Sequence, residues 1–352
     1  MKFIRNAFNI ESHHSGNRID YLDFVRGIFI LLVLYHHATA PLHTYISQFH
    51  MPALFILSGY TEFLLNRKKP FLAYVKSKFF RLIVPYICFE VLNLLAYFFM
   101  KLLFLNVEFS FSDACISIIT CINNTYTGLY GRLWFLPAIF IVSIFSYFIK
   151  HITKNNTYLV SLFCLLAFAL SYISASVLPD RLPFTIDIAF LGTAFFLLGH
   201  ICGNLIRSFF EGSKHLLTVL CLIVFGFLYI LFNKIASPAC HMYINEYSDF
   251  PFMILCATLG TAIVFIVAKY LFYVVAKITV IKNIIYWYSV NSLAVFPIHL
   301  TVNALARPLL RRVGLDNWIC LFIIMLISTI PIVNIISNYF PFMLGSFNRK
   351  RL

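Results

Sequence analysis

Arg26 and His37 stand eleven residues apart in one apolar run, Asp23-Phe24-Val25-Arg26-Gly27-Ile28-Phe29-Ile30-Leu31-Leu32-Val33-Leu34-Tyr35-His36-His37. Their side chains suit complementary tasks. An imidazole exchanges a proton near neutral pH, and a guanidinium holds an anionic group. In an α-helix eleven residues turn the chain through about 1100°, so the two lie about 20° from eclipsed and about 16 Å apart along the axis. One face then carries a cation at one level and a base at another. Ionisable groups within hydrocarbon usually face a cavity rather than lipid, so this helix marks a candidate site. The bland alternative is a snorkelling Arg26 with His37 at the far interface. His36 is about 100° away on the helix and cannot share the face with Arg26.

Other apolar stretches carry polar groups of the same kind. His50 opens Phe49-His50-Met51-Pro52-Ala53-Leu54-Phe55-Ile56-Leu57-Ser58-Gly59-Tyr60, in which Ser58-Gly59 gives a neighbouring helix room to approach. Lys78 and Arg81, three residues apart, should share a helical face, either as a topogenic anchor or as a clamp for a polyanionic ligand. Pro85 suggests a kink just beyond them. Glu90 lies deeper and needs a partner or a proton, and Asp187, preceded by Pro183, is a second such carboxylate. Trp134, in Arg132-Leu133-Trp134-Phe135-Leu136-Pro137, reads as an interfacial anchor or a pocket wall. Ser292 and His299 are seven residues apart, about 700°, again near one face, with Asn291 before them and Pro297 interrupting the helix beside His299. Arg26, His37, His50, Glu90, Asp187, Asn291, Ser292 and His299 together imply an intramembrane polar cavity.

The elements that must position these groups are membrane helices. The chain has 352 residues, 61% hydrophobic and 11% charged, with a mean hydropathy of +0.87, which excludes a soluble domain. Ten spans fit the hydropathy: 19–40, 48–65, 79–104, 132–149, 157–175, 185–206, 215–233, 251–275, 284–305 and 317–342. With the N-terminus inside, cytoplasmic segments hold 18 Lys and Arg and external ones 7, so both termini are placed in the cytoplasm. That asymmetry explains the net charge of +14 without invoking nucleic acid. Ala38-Thr39-Ala40 imitates a signal-peptidase site, but Pro41 and the embedded charges argue for a retained helix. The expected organisation is all-α: a cytoplasmic lead over residues 1–18, a polytopic membrane domain of about ten helices over 19–345, and a basic cytoplasmic tail over 346–352. The 9 Cys show neither C-x-x-C pairs nor metal-ligand spacing, so no metal site is expected. Pairing of Cys115 with Cys121 is left open, as is the oligomeric state.

In order along the chain, several motifs resemble one known family. They are Asp23-x-x-Arg26-Gly27, the spacing to His37, His50-Met51-Pro52 leading into Phe55-x-x-Ser58-Gly59-Tyr60, and Lys78-x-x-Arg81 followed by Pro85. Further along come Leu133-Trp134-Phe135-Leu136, Pro183 with Phe195-Phe196-Leu197-Leu198-Gly199, Asn291-Ser292-Leu293 with His299, and Pro341-x-x-x-Gly345. The whole looks like the membrane acyltransferase-3 family. That resemblance implies ten or so helices that move an acyl group, commonly acetyl, from cytoplasmic acyl-coenzyme A to a sugar hydroxyl at the outer face of the cell (inner or plasma) membrane. Typical acceptors are surface polysaccharides such as O-antigen, or their lipid-linked precursors. It assigns His37 as the catalytic base, Arg26 as its motif partner, and Lys78 and Arg81 to the donor region. Asp23, His50, Ser58, Glu90, Trp134, Asp187, Asn291, Ser292 and His299 are the remaining pocket candidates, and Asn291, Ser292 or a helix N-terminus could donate to the oxyanion. Lys78 stands where many relatives have arginine, which weakens a two-pronged phosphate contact. No permanently bound cofactor is expected; acetyl-coenzyme A, or another acyl-coenzyme A, is the donor substrate. The partners are that donor, a carbohydrate acceptor and the bilayer, with direct transfer and an acyl-enzyme both open. A proton-coupled transporter would use the same buried polar residues, but no duplicated halves are evident. A sugar- or lipid-binding scaffold without turnover is the third reading.

Overall fold

The structure, a computed structural model, describes residues 20–65, 69–104, 110–122, 132–178, 180–212, 215–275 and 277–345. The expected lead, the tail, Arg67, Lys68 and Lys214 lie outside the described residues. The helices are α1 (Asp20–His37), α2 (His43–Leu65), α3 (Phe71–Lys78), α4 (Val84–Phe104), α5 (Phe111–Thr120), α6 (Phe135–Ile152), α7 (Thr157–Val177) and α8 (Ile186–Ile201). They continue as α9 (Gly203–Gly212), α10 (His215–Ile235), α11 (Phe250–Val275), α12 (Thr279–Val290), α13 (Ser292–Arg312) and α14 (Trp318–Tyr339).

Among the described residues, 8 helices are long and apolar enough to cross a membrane: the continuous α3–α4 segment, α6, α7, α8, α10, α11, α13 and α14. Helices α1 and α2 have matching length but more polar sequences, and they complete the expected ten. Their polarity has a structural counterpart, because α2 is buried almost continuously from Gln48 to Tyr60. Lipid-facing helices show the opposite: α10 buries only Thr218. The chain is an all-α polytopic membrane protein that buries α2, one of its more polar helices, against other helices, as a medium without water requires.

Local chemistry sets the helix starts. Asn156 accepts from the backbone N–H of Tyr158 (3.0 Å) and Leu159 (3.3 Å) at the start of α7. Asn317 accepts from Cys320 (2.9 Å) at the start of α14, in each case satisfying donors that the first turn leaves open.

The structure departs from the sequence reading in three places. The expected span over 284–305 is two helices, broken at Asn291 rather than at Pro297. The Asn291 side chain donates to the Trp287 carbonyl at 3.0 Å, a local bond of the kind that competes with helix continuation. Pro297 sits inside α13, which continues to Arg312. The second departure lies in the hydrophilic gap before α11, which forms an antiparallel hairpin. Its strands are β1 (Ala239–His241) and β2 (Glu246–Ser248), with Cys240 opposite Tyr247 and His241 opposite Glu246. Asn245 turns it at φ 57°. The third departure is a five-residue π-turn, Phe79–Ile83, between α3 and α4.

Candidate active site

The turn between α1 and α2 gathers four imidazoles at one end of the bundle, and α13 supplies a fifth. Thr39 (φ 56°) and Leu42 (φ 64°) reverse the chain in the left-handed region. His36 thereby faces α2, and its ring lies 4.5 Å from that of His50, 6.2 Å from His43 and 5.1 Å from His37. His37, the last residue of α1, faces α13 instead, with its ring 4.9 Å from that of His299. His37 is half-buried, while His50 and His299 are buried.

Backbone contacts fix most of the proton positions. The Nδ1 atoms of His36, His43 and His50 each lie 3.0 Å from a backbone carbonyl, of His43, Ala40 and Ile46 respectively. His299 Nδ1 lies 3.2 Å from the Val295 carbonyl. A carbonyl oxygen only accepts, so in the neutral rings each Nδ1 carries the proton and each Nε2 keeps its lone pair. His299 Nε2 is fully buried without a hydrogen-bond partner. A buried polar atom in that state costs about 1–3 kcal/mol, and such atoms often mark a working site. His37 differs from the other four: among the described residues, no hydrogen bond holds either of its ring nitrogens. Its backbone is what is held. Asn303 Nδ2 donates to the His37 carbonyl at 2.7 Å and Arg307 reaches the same oxygen at 3.5 Å, capping the open end of α1. The result is an imidazole on a fixed backbone, beside a second imidazole whose Nε2 has no partner.

The walls come from α4, α6 and α13. Phe135 packs on Phe296 at 5.0 Å, and Phe296 packs on His299 at 5.7 Å between ring centroids. Glu90, fully buried, has the partner that its depth requires: it accepts from the backbone N–H of Leu133 at 3.1 Å. That contact fixes the start of α6 and brings Arg132 close enough for its charge to act on His37. A family model described as an acyltransferase domain matches residues 19–337, nearly the whole chain. This chain belongs to the acyltransferase-3 family. No curated protein matches it. Among the described residues, the acyltransferase gathers five imidazoles where α1, α2 and α13 converge.

At the other end of the acyltransferase, Arg26 pairs with Asp23 at 3.1 Å, and Ser289 donates to the same carboxylate at 3.5 Å. Asp23, the partner of Arg26, faces Ser289 of α12, and His37 faces His299 of α13. Lys78 and Arg81 lie across the π-turn. The Val84 N–H bonds to the Phe79 carbonyl, five residues back, and Pro85 has no N–H with which to restore the α register to Arg81. The wider turn rotates Arg81 away from the face that an unbroken α-helix would share with Lys78. Lys78 is half-buried with its ammonium 5.3 Å from the Tyr74 ring, whereas Arg81 is exposed. Gly345 closes this segment from the C-terminal side. At φ 68° it sits where a Cβ would collide with the Phe80 carbonyl.

The remaining candidates are not brought to the imidazoles. Asp187 forms an ion pair with Arg181, which also donates to the Tyr243 carbonyl at 2.6 Å and so ties the hairpin to α8. Ser58 donates to the Leu54 carbonyl of its own helix at 2.7 Å. Asn291 caps α12, and Ser292 starts α13 about two turns before His299. Trp134 precedes α6 and packs edge-on against Phe135 at 6.0 Å. Cys115 and Cys121 are both free thiols. Among the described residues, no group of three or more His, Cys, Asp or Glu is placed to hold a metal ion. The sequence reading passed over Asn303, Arg307 and His43. A signal for the first two was present: His299, Asn303 and Arg307 recur every four residues, which puts them on one face of α13.

Proposed function

We propose that this acyltransferase moves an acyl group, most simply acetyl, from acyl-coenzyme A to a sugar hydroxyl of a cell-surface polysaccharide or its lipid-linked precursor. The observation that carries this reading is the pair His37–His299, one ring free of hydrogen bonds and the other with a buried, unpartnered Nε2. In the proposed reaction an imidazole takes the acceptor hydroxyl proton as the oxygen attacks the thioester carbonyl. The tetrahedral oxyanion then collapses, the C–S bond breaks, and the coenzyme A thiolate takes the proton from the imidazolium. Asn303 and Arg307, which meet the His37 carbonyl, and Arg132, at the start of α6, are the donors that this reading assigns to the oxyanion. Lys78 and Arg81, at the other end of the bundle, would meet the coenzyme A phosphates. In this reading both termini are cytoplasmic, and the end bearing the imidazoles faces outward across the cell membrane.

Purified full-length protein in detergent, given acetyl-coenzyme A and an envelope glycan fraction, is expected to release free thiol in proportion to glycan acylation. Release no faster than in protein-free controls would overturn the proposal and favour a transporter. Arg81→Ala is expected to raise the donor KM ten- to hundred-fold at unchanged membrane level, as the loss of a charge-assisted contact of about 1.5–3 kcal/mol requires. An unchanged donor KM would return Arg81 to the role of a topogenic anchor. Single cysteines at Pro70, Ile152 and Lys350 are expected to resist an impermeant thiol reagent in intact cells and to label after lysis. Labelling from outside at any of the three would reverse the orientation.

A further inference from the structure

Beside the imidazole end of the bundle, a cleft of about 460 Å³ opens between the end of α7, the hairpin and the start of α11. Its volume falls within the range of ligand pockets, about 300–1,000 Å³. The lining combines two kinds of group. Tyr172, Tyr247 and Phe250 contribute aromatic surface, with Phe250 5.3 Å from Tyr172 and 5.8 Å from Tyr247 between ring centroids. His241, Glu246 and Ser248 contribute hydrogen-bonding groups from the paired strands, and all three are exposed. Beneath them the hydroxyls of Tyr247 and Ser171 are buried and lie beside each other. Burial pushes the Tyr247 phenol well above its ordinary range, so it remains a donor.

The cleft is rigidly tied to the candidate active site. Gln48 of α2, two residues from His50, donates to the Pro238 carbonyl at 2.9 Å just before β1. His241, a wall of the cleft, is close enough for its charge to act on His36. Arg181 and Asp249 brace the hairpin from the other sides, through Tyr243 and Ser237.

We propose that this cleft is the acceptor subsite and holds a neutral sugar unit adjoining the one that is acylated. The inference rests on the acyltransferase reading above and deepens it. An apolar face of a pyranose ring covers an aromatic side chain without leaving polar groups unpaired. A carboxylate accepts from sugar hydroxyls through charge-assisted bonds. Glu246 also repels an acidic sugar, so the unit held here carries no carboxylate. The tie through Gln48 sets the register between this unit and the hydroxyl delivered to the imidazoles.

The test uses membranes bearing the full chain, acetyl-coenzyme A, and the unacylated envelope glycans extracted from cells that lack the gene. Glu246→Gln and Tyr172→Ala are each expected to raise the glycan concentration for half-maximal thiol release about tenfold. The donor KM and the rate at saturating glycan should stay within twofold of wild type. Glu246 is exposed and Tyr172 is 54% exposed, so both changes fall at the surface, and the unchanged donor KM verifies the fold. If wild type responds to the glycans and both variants show its half-saturation value, the cleft is not the acceptor subsite. If wild type itself gives no glycan-dependent release, the acyltransferase reading fails and this inference falls with it.

Discussion

Replacing His37 with alanine is expected to lower acyl transfer by about 10²–10⁴-fold, the range for removing a general base, while the protein still inserts. Burial supports the second half of that expectation. His37 is only half-buried, and what anchors the end of α1 is its carbonyl, bonded to Asn303 and Arg307, which alanine keeps. His36→Ala is expected to act differently. His36 donates across the turn to the His43 carbonyl at 3.0 Å and lies against His50, so its loss loosens the α1–α2 reversal. About 1 kcal/mol of stability should go with that hydrogen bond, with most of the activity retained. His299→Ala removes the imidazole beside His37, and a large loss of rate there at unchanged stability would identify the pair, not one ring, as the catalytic unit. The measurement is acceptor acylation in cells lacking the native gene, with each variant quantified in the membrane fraction. Full activity in His37→Ala together with inactive His36→Ala would move the chemistry to the α2 side of the cluster, beside His50.

Much of this arrangement was legible because a membrane leaves few options. An arginine and a histidine on one face of an apolar helix must meet protein: Arg26 meets Asp23, which also accepts from Ser289, and His37 meets His299. The partners themselves were less legible. His36 reaches His50 only because Thr39 and Leu42 adopt positive φ, a conformation that nothing in either side chain favours. The break at Asn291 lies inside continuous hydropathy, so a window average passes over it, while the more conspicuous Pro297 stays helical. The π-turn escaped for a related reason. Its cause is a missing N–H at Pro85, and its effect, the different exposure of Lys78 and Arg81, appears several residues earlier. The hairpin over the cleft has strands of three residues each, too short for alternation to register as a pattern.

Gly199→Val is expected to destabilise the protein more than any other single glycine substitution in its helices except Gly59→Val, and the two are coupled. Gly59 of α2 and Gly199 of α8 face each other at one crossing. A Cβ on Gly59 would collide with the Phe196 carbonyl, and a Cβ on Gly199 would collide with the Ile56 carbonyl. Both obstacles are backbone, which cannot rotate aside, so relief requires the helices to separate. Overpacking a core typically costs about 1–3 kcal/mol, and here the loss should reach the upper end, because small residues are what let membrane helices pack closely. Because α2 also carries His50, separation should lower acyl transfer as well. The double variant Gly59→Ala with Gly199→Ala should lose less stability than the two single changes combined, since the first separation makes room for the second methyl. Gly226→Ala is the control: a Cβ there meets nothing within 4 Å, and in an exposed helix that exchange gains about 0.5–1 kcal/mol. Thermal unfolding of the six variants (Gly59→Val, Gly199→Val, Gly59→Ala, Gly199→Ala, the double alanine variant and Gly226→Ala) in one detergent, followed by helical circular dichroism, measures all of these effects. A Gly199→Val midpoint equal to wild type would mean that α2 and α8 do not cross at these glycines, and additive losses in the double variant would mean that the two positions do not share one contact.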